Sequence, residues 1–395
     1  MSKAFDTVNR NTLVKNLETI LDDDEIHLLA IITNRPEIKI KLENTTGNSF
    51  ETYQGIMQGD CLSAVLFIYY LACALSEEHI IQHEDHSYVP PPEKELNINP
   101  KYADDITYIT TNEEKHREIE NITAIRLKKY NLQINRDKTE RFEVPETPKE
   151  PVPIPTPKEY DGRPIWSDLD WLLPPRKPPD PPPAWAICKL LGTKLGTETD
   201  IKNRKGLVIS VMKELYYIFK SKFISNKLKL REFETYISSI FLYNSETWSL
   251  SETLNKKIDA FQRKQLRYAL NIHYPKTISN EKLYRITRAE PWSRTIKRRR
   301  LNLYGHVLRL NEQTPIRQAL FEAVKPVSRG RGRPPIHWLQ TIQKDLADEL
   351  MNLGYRYSCP EQFLQITHHL AQHRTWWKGI TRCVMSSNKK MEDAA

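Results

Sequence analysis

Residues 143–185 carry about half of the chain's 26 prolines, in runs such as PKEPVPIPTP and PPRKPPDPPP. Proline has no amide hydrogen to donate and fixes its own φ, so such a run can neither continue a helix nor sit inside a sheet. It favours an extended polyproline II path with a solvated backbone. No conventional core can be built through it, so the chain divides into a part before the run and a part after it. The segment reads as a spacer or exposed insertion, and docking to a proline-binding module is the other use of such a sequence. Trp166, Trp171 and Trp185 suggest that pieces of it fold back onto a domain surface.

The two flanking parts differ in texture. Residues 1–142 read as mixed α and β. Residues 11–21 place Leu13, Leu17 and Leu21 on one helical face, and EIKIKL at 37–42 alternates like a half-buried strand. Residues 60–76 read as a buried helix, 101–110 as a hairpin around an acidic pair, and 113–130 as a charged amphipathic helix. From 187 onward the apolar spacing is helical to the end, with a very basic helix over 294–310. The organisation expected is 1–142, an insertion over 143–186, a helical region over 187–275 and a basic helical region over 276–395.

The charge balance narrows the partners. Lys plus Arg number 59 against 50 Asp plus Glu, a formal net charge of +9. That excess suits a polyanion, either nucleic acid or an acidic membrane surface. The longest apolar stretch, 62–75, is too short to span a bilayer, and no amphipathic lipid-binding segment supports a membrane partner. Cys61, Cys73, Cys188, Cys359 and Cys383 are scattered without CxxC spacing, which speaks for a reducing compartment. The polar start MSKAFDTVNR has no apolar secretory core. The expectation is an intracellular, non-secreted protein, nuclear or cytoplasmic.

The chemistry concentrates at Tyr102-Ala103-Asp104-Asp105. Two adjacent carboxylates inside an apolar strand pattern are expensive to bury. A tight turn would bring one of them to an open site, where a hard cation such as Mg²⁺ accounts for the cost. Phosphoryl-transfer enzymes use two such ions on the attacking and leaving oxygens. A bare Asp-Asp pair is also an ordinary polar hairpin turn, so the context decides. Upstream, residues 54–67 (QGIMQGDCLSAVLF) form a glycine-punctuated loop opening an apolar helix, which suits close approach to phosphate. Downstream, residues 131–139 (NLQINRDKT) read as a short strand ending in an exposed lysine.

Together these segments resemble the reverse transcriptase of non-LTR, LINE-type retrotransposons. Lys3-Ala4-Phe5-Asp6 is similar to the end of its first motif, Gln58-Gly59-Asp60-Cys61-Leu62-Ser63 to the second, Tyr102-Ala103-Asp104-Asp105 to the third and residues 132–139 to the fourth. Leu190-Leu191-Gly192 resembles the primer-grip turn. Residues 241–248 and 302–307 resemble the tail that follows the polymerase. The resemblance implies an α+β fold: a palm of antiparallel sheet with helices, then a mainly α-helical thumb and C-terminal region. It implies RNA-templated DNA synthesis with Mg²⁺ (or Mn²⁺), an RNA template, a DNA primer and dNTPs. Asp104 would hold the catalytic metals with Asp105 assisting. Phe5 would pack under the incoming sugar, Gln58 and Gly59 would line the nucleotide and template pocket, and Lys138 would help protonate pyrophosphate. The family's first-motif aspartate lies five residues before the aromatic that matches Phe5, a position just ahead of Met1. Its fingers and upstream endonuclease have no counterpart in these residues either. Asp6 on a strand would point away from Asp104. The expectation is an incomplete metal site and a chain inactive alone. The alternative is a non-catalytic nucleic-acid-binding protein acting through its basic C-terminal helices.

Other motifs point the same way. Lys297-Arg298-Arg299-Arg300 reads as a phosphate-contacting face or a nuclear localisation signal. Arg331 and Arg333 in SRGRGRPP resemble an AT-hook core, or else belong to a solvated basic loop. Cys359, His368, His369, His373 and Cys383 invite a zinc reading but lack its spacing, and Trp376-Trp377 makes an amphipathic helix with core aromatics the simpler account. No serine or cysteine stands in a nucleophile context with a partner histidine.

Overall fold

A single asparagine starts the first helix: the Asn9 side chain accepts from the Thr12 amide at 3.1 Å and so caps α1 (Arg10–Leu17). The structure is a computed structural model that describes residues 4–33, 37–42, 45–57, 59–80, 101–110, 113–143, 159–160, 163–164, 184–323 and 337–392. These fall into two units, Met1–Glu140 and Arg141–Ala395.

In the first unit α1 ends at Leu17, and α2 (Asp23–Thr33) starts at a reciprocal cap. Asp22 accepts from the Glu25 amide at 2.9 Å, while Glu25 accepts from the Asp22 amide at 3.2 Å. β1 (Glu37–Leu42) and β2 (Thr45–Glu51) form an antiparallel hairpin with a register shift between Lys39 and Lys41. The half-buried strand expected at 37–42 is corrected here. Lys39, Ile40 and Lys41 are all exposed, as is β2 throughout, because the hairpin pairs only with itself and no described layer covers either face. α3 (Cys61–Ile80) is buried along one side only. Leu66, Phe67, Tyr70, Leu71, Ala74 and Leu75 enter the core, whereas Leu62, Val65 and Ile68 face water. The Tyr70 hydroxyl accepts from the Asn9 amide at 3.3 Å and donates to the Tyr130 carbonyl at 2.8 Å. That bond network closes the core between α1, α3 and the end of α4 (Glu113–Lys129). β3 (Lys101–Tyr102) and β4 (Asp105–Ile106) form a second small hairpin.

Among the described residues, the regular elements of the second unit are helices apart from two two-residue hairpins, β5 (Glu159–Tyr160) with β6 (Arg163–Pro164), and β7 (Lys189–Leu190) with β8 (Thr193–Lys194). α5 (Ala184–Ile187) precedes β7. After β8 come α6 (Thr197–Glu214), α7 (Tyr216–Lys220), α8 (Asn226–Glu232), a π-helical turn (Phe233–Ser238) and α9 (Ser239–Phe241). The chain continues through α10 (Glu252–Ala269), α11 (Asn280–Thr287), α12 (Trp292–Leu308), α13 (Pro315–Glu322), α14 (Trp338–Asn352), α15 (Pro360–Gln372) and α16 (Arg374–Glu392). One core gathers Val208, Phe233, Phe241, Trp248, Ile258 and Trp292, with the Phe241 and Trp292 rings stacked at 4.2 Å. A second gathers Leu301, Tyr304, Ile342, Leu346, Phe363 and Trp377. α12 supplies residues to both cores.

The described fold is thus mostly helical with small antiparallel sheets, an α+β arrangement. The antiparallel palm sheet expected from the sequence is present, among the described residues, only as separate two-stranded pieces. Among these residues no helix is long and apolar enough to cross a membrane.

Candidate catalytic and nucleic-acid-binding site

The acidic pair sits on a two-residue hairpin. Lys101 pairs with Ile106 and Tyr102 with Asp105, so Ala103 and Asp104 make the turn. Ala103 has φ +49°, a left-handed conformation in which glycine is the usual residue. A Cβ there costs about 1–2 kcal/mol, the kind of local strain that persists where surrounding structure enforces it. The turn puts Asp104 at the apex, half-buried, and Asp105 at the start of β4, exposed. Ile106 packs on the core. Two residues on, Tyr108 and Thr123 of α4 share a hydroxyl hydrogen bond at 2.9 Å, and burial pushes the Tyr108 phenol upward. These contacts hold the hairpin from behind, with Asp105 exposed and Asp104 half-buried at the turn.

The first motif and the glycine-punctuated loop are bonded to each other. The Ile56 amide donates to the Phe5 carbonyl at 2.9 Å and the Gly55 amide to the Val8 carbonyl at 2.8 Å. Gly55 has φ +82°, and a Cβ on it would lie 2.8 Å from the Asp6 carbonyl oxygen, so only glycine fits. The Phe5 ring stacks on Phe67 of α3 at 4.5 Å, which fixes its position. Asp6 is exposed and lies in a turn over residues 4–7, not on the strand expected from the sequence, because the Phe5 and Val8 carbonyls bond to a loop and not to a β ladder. Gly59 is exposed at φ +95° just ahead of α3, and Gln58 lies outside the described residues.

Arg10 fastens this arrangement, and sequence reasoning missed it. Its guanidinium donates to the Gly55 carbonyl at 2.7 Å, the Gln54 carbonyl at 3.0 Å, the Thr52 hydroxyl at 2.8 Å and the Thr52 carbonyl. No periodicity signals a partner more than forty residues along the chain.

The fourth motif is tied to the first: Asn131, at φ +54°, donates from its side chain to the Thr7 carbonyl at 3.0 Å. The strand expected over 131–139 is corrected to an irregular segment and a short 3₁₀ helix, Arg136–Lys138. The Asn135 side chain accepts from the Lys138 amide at 3.2 Å, and that local bond competes with strand pairing. Lys138 is exposed there.

Mg²⁺ takes carboxylate oxygens together with water and substrate phosphates. Asp104 and Asp105 fit one such cation in donor chemistry. Among the described residues no group of three or more His, Cys, Asp and Glu forms a metal-holding cluster. The donor set described does not amount to a two-ion centre.

In the second unit, Leu191 and Gly192 turn the β7–β8 hairpin with φ +47° and +78°, a primed two-residue turn. Asp200 of α6 is fully buried and accepts from the Lys194 amide at 3.1 Å and the Trp248 indole at 3.0 Å. Arg204, one helical turn on, lies 3.6 Å from Asp200 and donates to the Gly192 carbonyl at 2.6 Å. The Tyr243 hydroxyl donates to the Leu191 carbonyl at 2.9 Å beneath the Arg204 guanidinium. The spacing of Asp200 and Arg204 was the available signal for this anchor, one turn apart on a helix.

The basic run on α12 is divided. Arg300 is buried on Asp345 and the Trp248 carbonyl. Lys297 lies 3.6 Å from the same Asp345. Arg298 and Arg299 are exposed, the former paired with Glu290 at 2.7 Å and the latter donating to the Leu242 carbonyl at 2.7 Å. Arg331 and Arg333 lie outside the described residues. α15 ends at Gln372, so His369 and His373 do not share a helical face. Of the tandem tryptophans, Trp377 is in the core and Trp376 is exposed.

The family model of reverse transcriptase (RNA-dependent DNA polymerase) matches residues 1–165. No curated protein matches the chain.

Proposed function

We propose that residues 1–142 form the palm of a non-LTR, LINE-type RNA-directed DNA polymerase and that the helices from 187 onward serve as its thumb and C-terminal region. The observation that carries this is the Asp104-Asp105 hairpin, with Asp104 half-buried at its apex and Asp105 exposed, inside the segment matched by the reverse transcriptase family model. In that role the two carboxylates supply hard oxygen donors to a divalent cation, whose chemistry would be charge neutralisation at the transferred phosphate. Phe5, immobilised on Phe67, is suited to pack under a deoxyribose. Gly59, with its positive φ, allows close approach of a nucleotide. Exposed Lys138 is available to give a proton to pyrophosphate.

The donor set is also the reason to expect no turnover from the chain as given. Two adjacent carboxylates do not supply the oxygen ligands that a pair of ions demands. Primer extension on an RNA template, with dNTPs and Mg²⁺ or Mn²⁺, tests both parts. Three proteins are compared: the chain as given, a form preceded by the fingers and first-motif aspartate of an active polymerase, and that form with Asp104→Ala. Extension by the second protein alone supports the reading. Extension by the chain itself, with none from the Asp104→Ala form, keeps the polymerase and refutes the shortfall. No extension by any of the three refutes the polymerase assignment.

A further inference from the structure

Bare aromatic rings grouped on one part of a folded surface mark an interaction site, whereas a single exposed ring is ordinary. Around the junction of α7 and α8 three are nearly so: Phe223 is 100% exposed, Tyr274 92% and Tyr217 84%. The backbone beneath them is tightly fastened. The Phe223 amide donates to the Ser221 hydroxyl at 3.2 Å, and Ser225 caps α8 by accepting from the Leu228 amide at 3.3 Å. Asn271 donates to the Phe219 carbonyl at 3.1 Å, and Lys220 Nζ lies 2.8 Å from His273 Nε2. The loop that carries Tyr274 is therefore bonded to the stretch that carries Phe223 and Tyr217.

The charged residues between 220 and 229 are all lysines. Lys229 is only 3% exposed, and its ammonium donates to the Ser221 carbonyl at 2.7 Å. Burial, and next the nearby Lys229, lower the Lys220 pKa, so the two cations face each other's repulsion. Lys222, Lys227 and Lys276 add exposed positive charge. Among the described residues none of these five lysines forms an ion pair. A buried cation satisfied by a carbonyl alone leaves a positive potential for an external anion to neutralise.

We propose that the α7–α8 junction is a platform for single-stranded nucleic acid, with bases stacking on Phe223 and Tyr274 and phosphates drawn to the lysines around them. Rings interleaved with lysines match what such a strand offers, a π-face at every base and a charge at every phosphate. The choice of nucleic acid rests on the polymerase reading, but the platform involves neither Asp104 nor a dNTP, so the two can fail separately.

The test is fluorescence anisotropy of the full chain with a short labelled oligouridine, an oligothymidine of equal length and a blunt duplex, across a salt series. Phe223→Ala with Tyr274→Ala is expected to weaken single-strand binding roughly 5- to 150-fold for each base that loses its ring. Duplex binding and the salt slope should change little. Phe223→Trp should retain binding. Both aromatics are exposed, so an unchanged thermal melt is expected and separates lost contact from lost fold. The oligouridine and oligothymidine arms distinguish an RNA from a DNA strand. Wild-type affinity in the double variant overturns the proposal, as does absence of oligonucleotide binding by the parent chain. Loss of sedimentation with phosphatidylserine vesicles, with oligonucleotide binding intact, overturns it in favour of a membrane. Failed primer extension with aromatic-dependent oligonucleotide binding keeps the platform and removes the polymerase.

Discussion

Replacing Arg300 with methionine asks whether the basic run on α12 is a nucleic-acid face or a structural one. Arg300 is 1% exposed. Its Nη2 and Nε lie 2.5 and 3.1 Å from one oxygen of Asp345, and Nη1 lies 3.3 Å from the Trp248 carbonyl. Arg300→Met keeps the apolar stem and removes the charge, leaving a mostly buried carboxylate and a buried carbonyl. Breaking a buried pair in this way costs about 3–5 kcal/mol. The lower end applies, because Lys297 still reaches Asp345 at 3.6 Å. With a urea dependence of about 3 kcal/mol per molar, the unfolding midpoint falls by roughly 1 M. Tryptophan fluorescence is the assay, with Trp248, Trp292 and Trp377 buried in the affected cores. Adding Asp345→Leu should restore much of the loss, because a pair replaced together by apolar groups leaves no orphaned charge. The salt slope of oligonucleotide binding should stay at its parent value in Arg300→Met, whereas exposed Arg298→Met should reduce it by about one with little loss of stability. An Arg300→Met protein with the parent midpoint and a flattened slope would refute the structural assignment.

Three further outcomes follow from the geometry. Gly305→Ala should destabilise the second unit by about 1–3 kcal/mol in a thermal melt, despite alanine's better helix propensity. The new Cβ would lie 2.5 Å from Cδ1 of Trp377, a ring held by its indole bond to the Leu301 carbonyl at 3.0 Å. Asp259 has its pKa raised above 3.8 by burial, against the opposing hydrogen bonds from Ser293 and the charge of Arg263. The folded state therefore holds that proton more tightly than the unfolded chain, and stability falls as pH rises from about 3.8 through the raised value. Asp259→Asn should abolish that part of the pH dependence in urea melts, and an unchanged profile would contradict it. Arg10→Ala should speed hydrogen exchange at the Gly55 and Ile56 amides roughly thirtyfold, for the loss of about 2 kcal/mol of local closure, with exchange in α14 unaltered.

Much of the local architecture was legible because it is locally determined. The glycine-punctuated approach to α3 follows from which residues tolerate positive φ, and the hairpin around Asp104 from the β-branched and aromatic residues that flank it, whereas the Leu191-Gly192 turn was legible only through the resemblance. The fourth motif was misread because Asn135 offers its own backbone a cap that no strand pattern reveals. The fate of the charges was harder, since it turns on partners far along the chain: Arg10 on residues 52–55, and Arg300 on Asp345. Even so, the sequence held one usable clue. On α12, Ile296, Arg300 and Tyr304 recur every fourth residue, and all three are buried. Arg298 and Arg299 fall off that stripe and are exposed. A run of four basic residues must wrap around a helix, because successive residues are about 100° apart. At least one of them is therefore turned toward the core, where a buried acceptor must meet it, as Asp345 and the Trp248 carbonyl meet Arg300. Net charge thus overstates what a basic helix can present to a phosphate backbone, and the phase of the neighbouring apolar residues tells which cations remain to bind it.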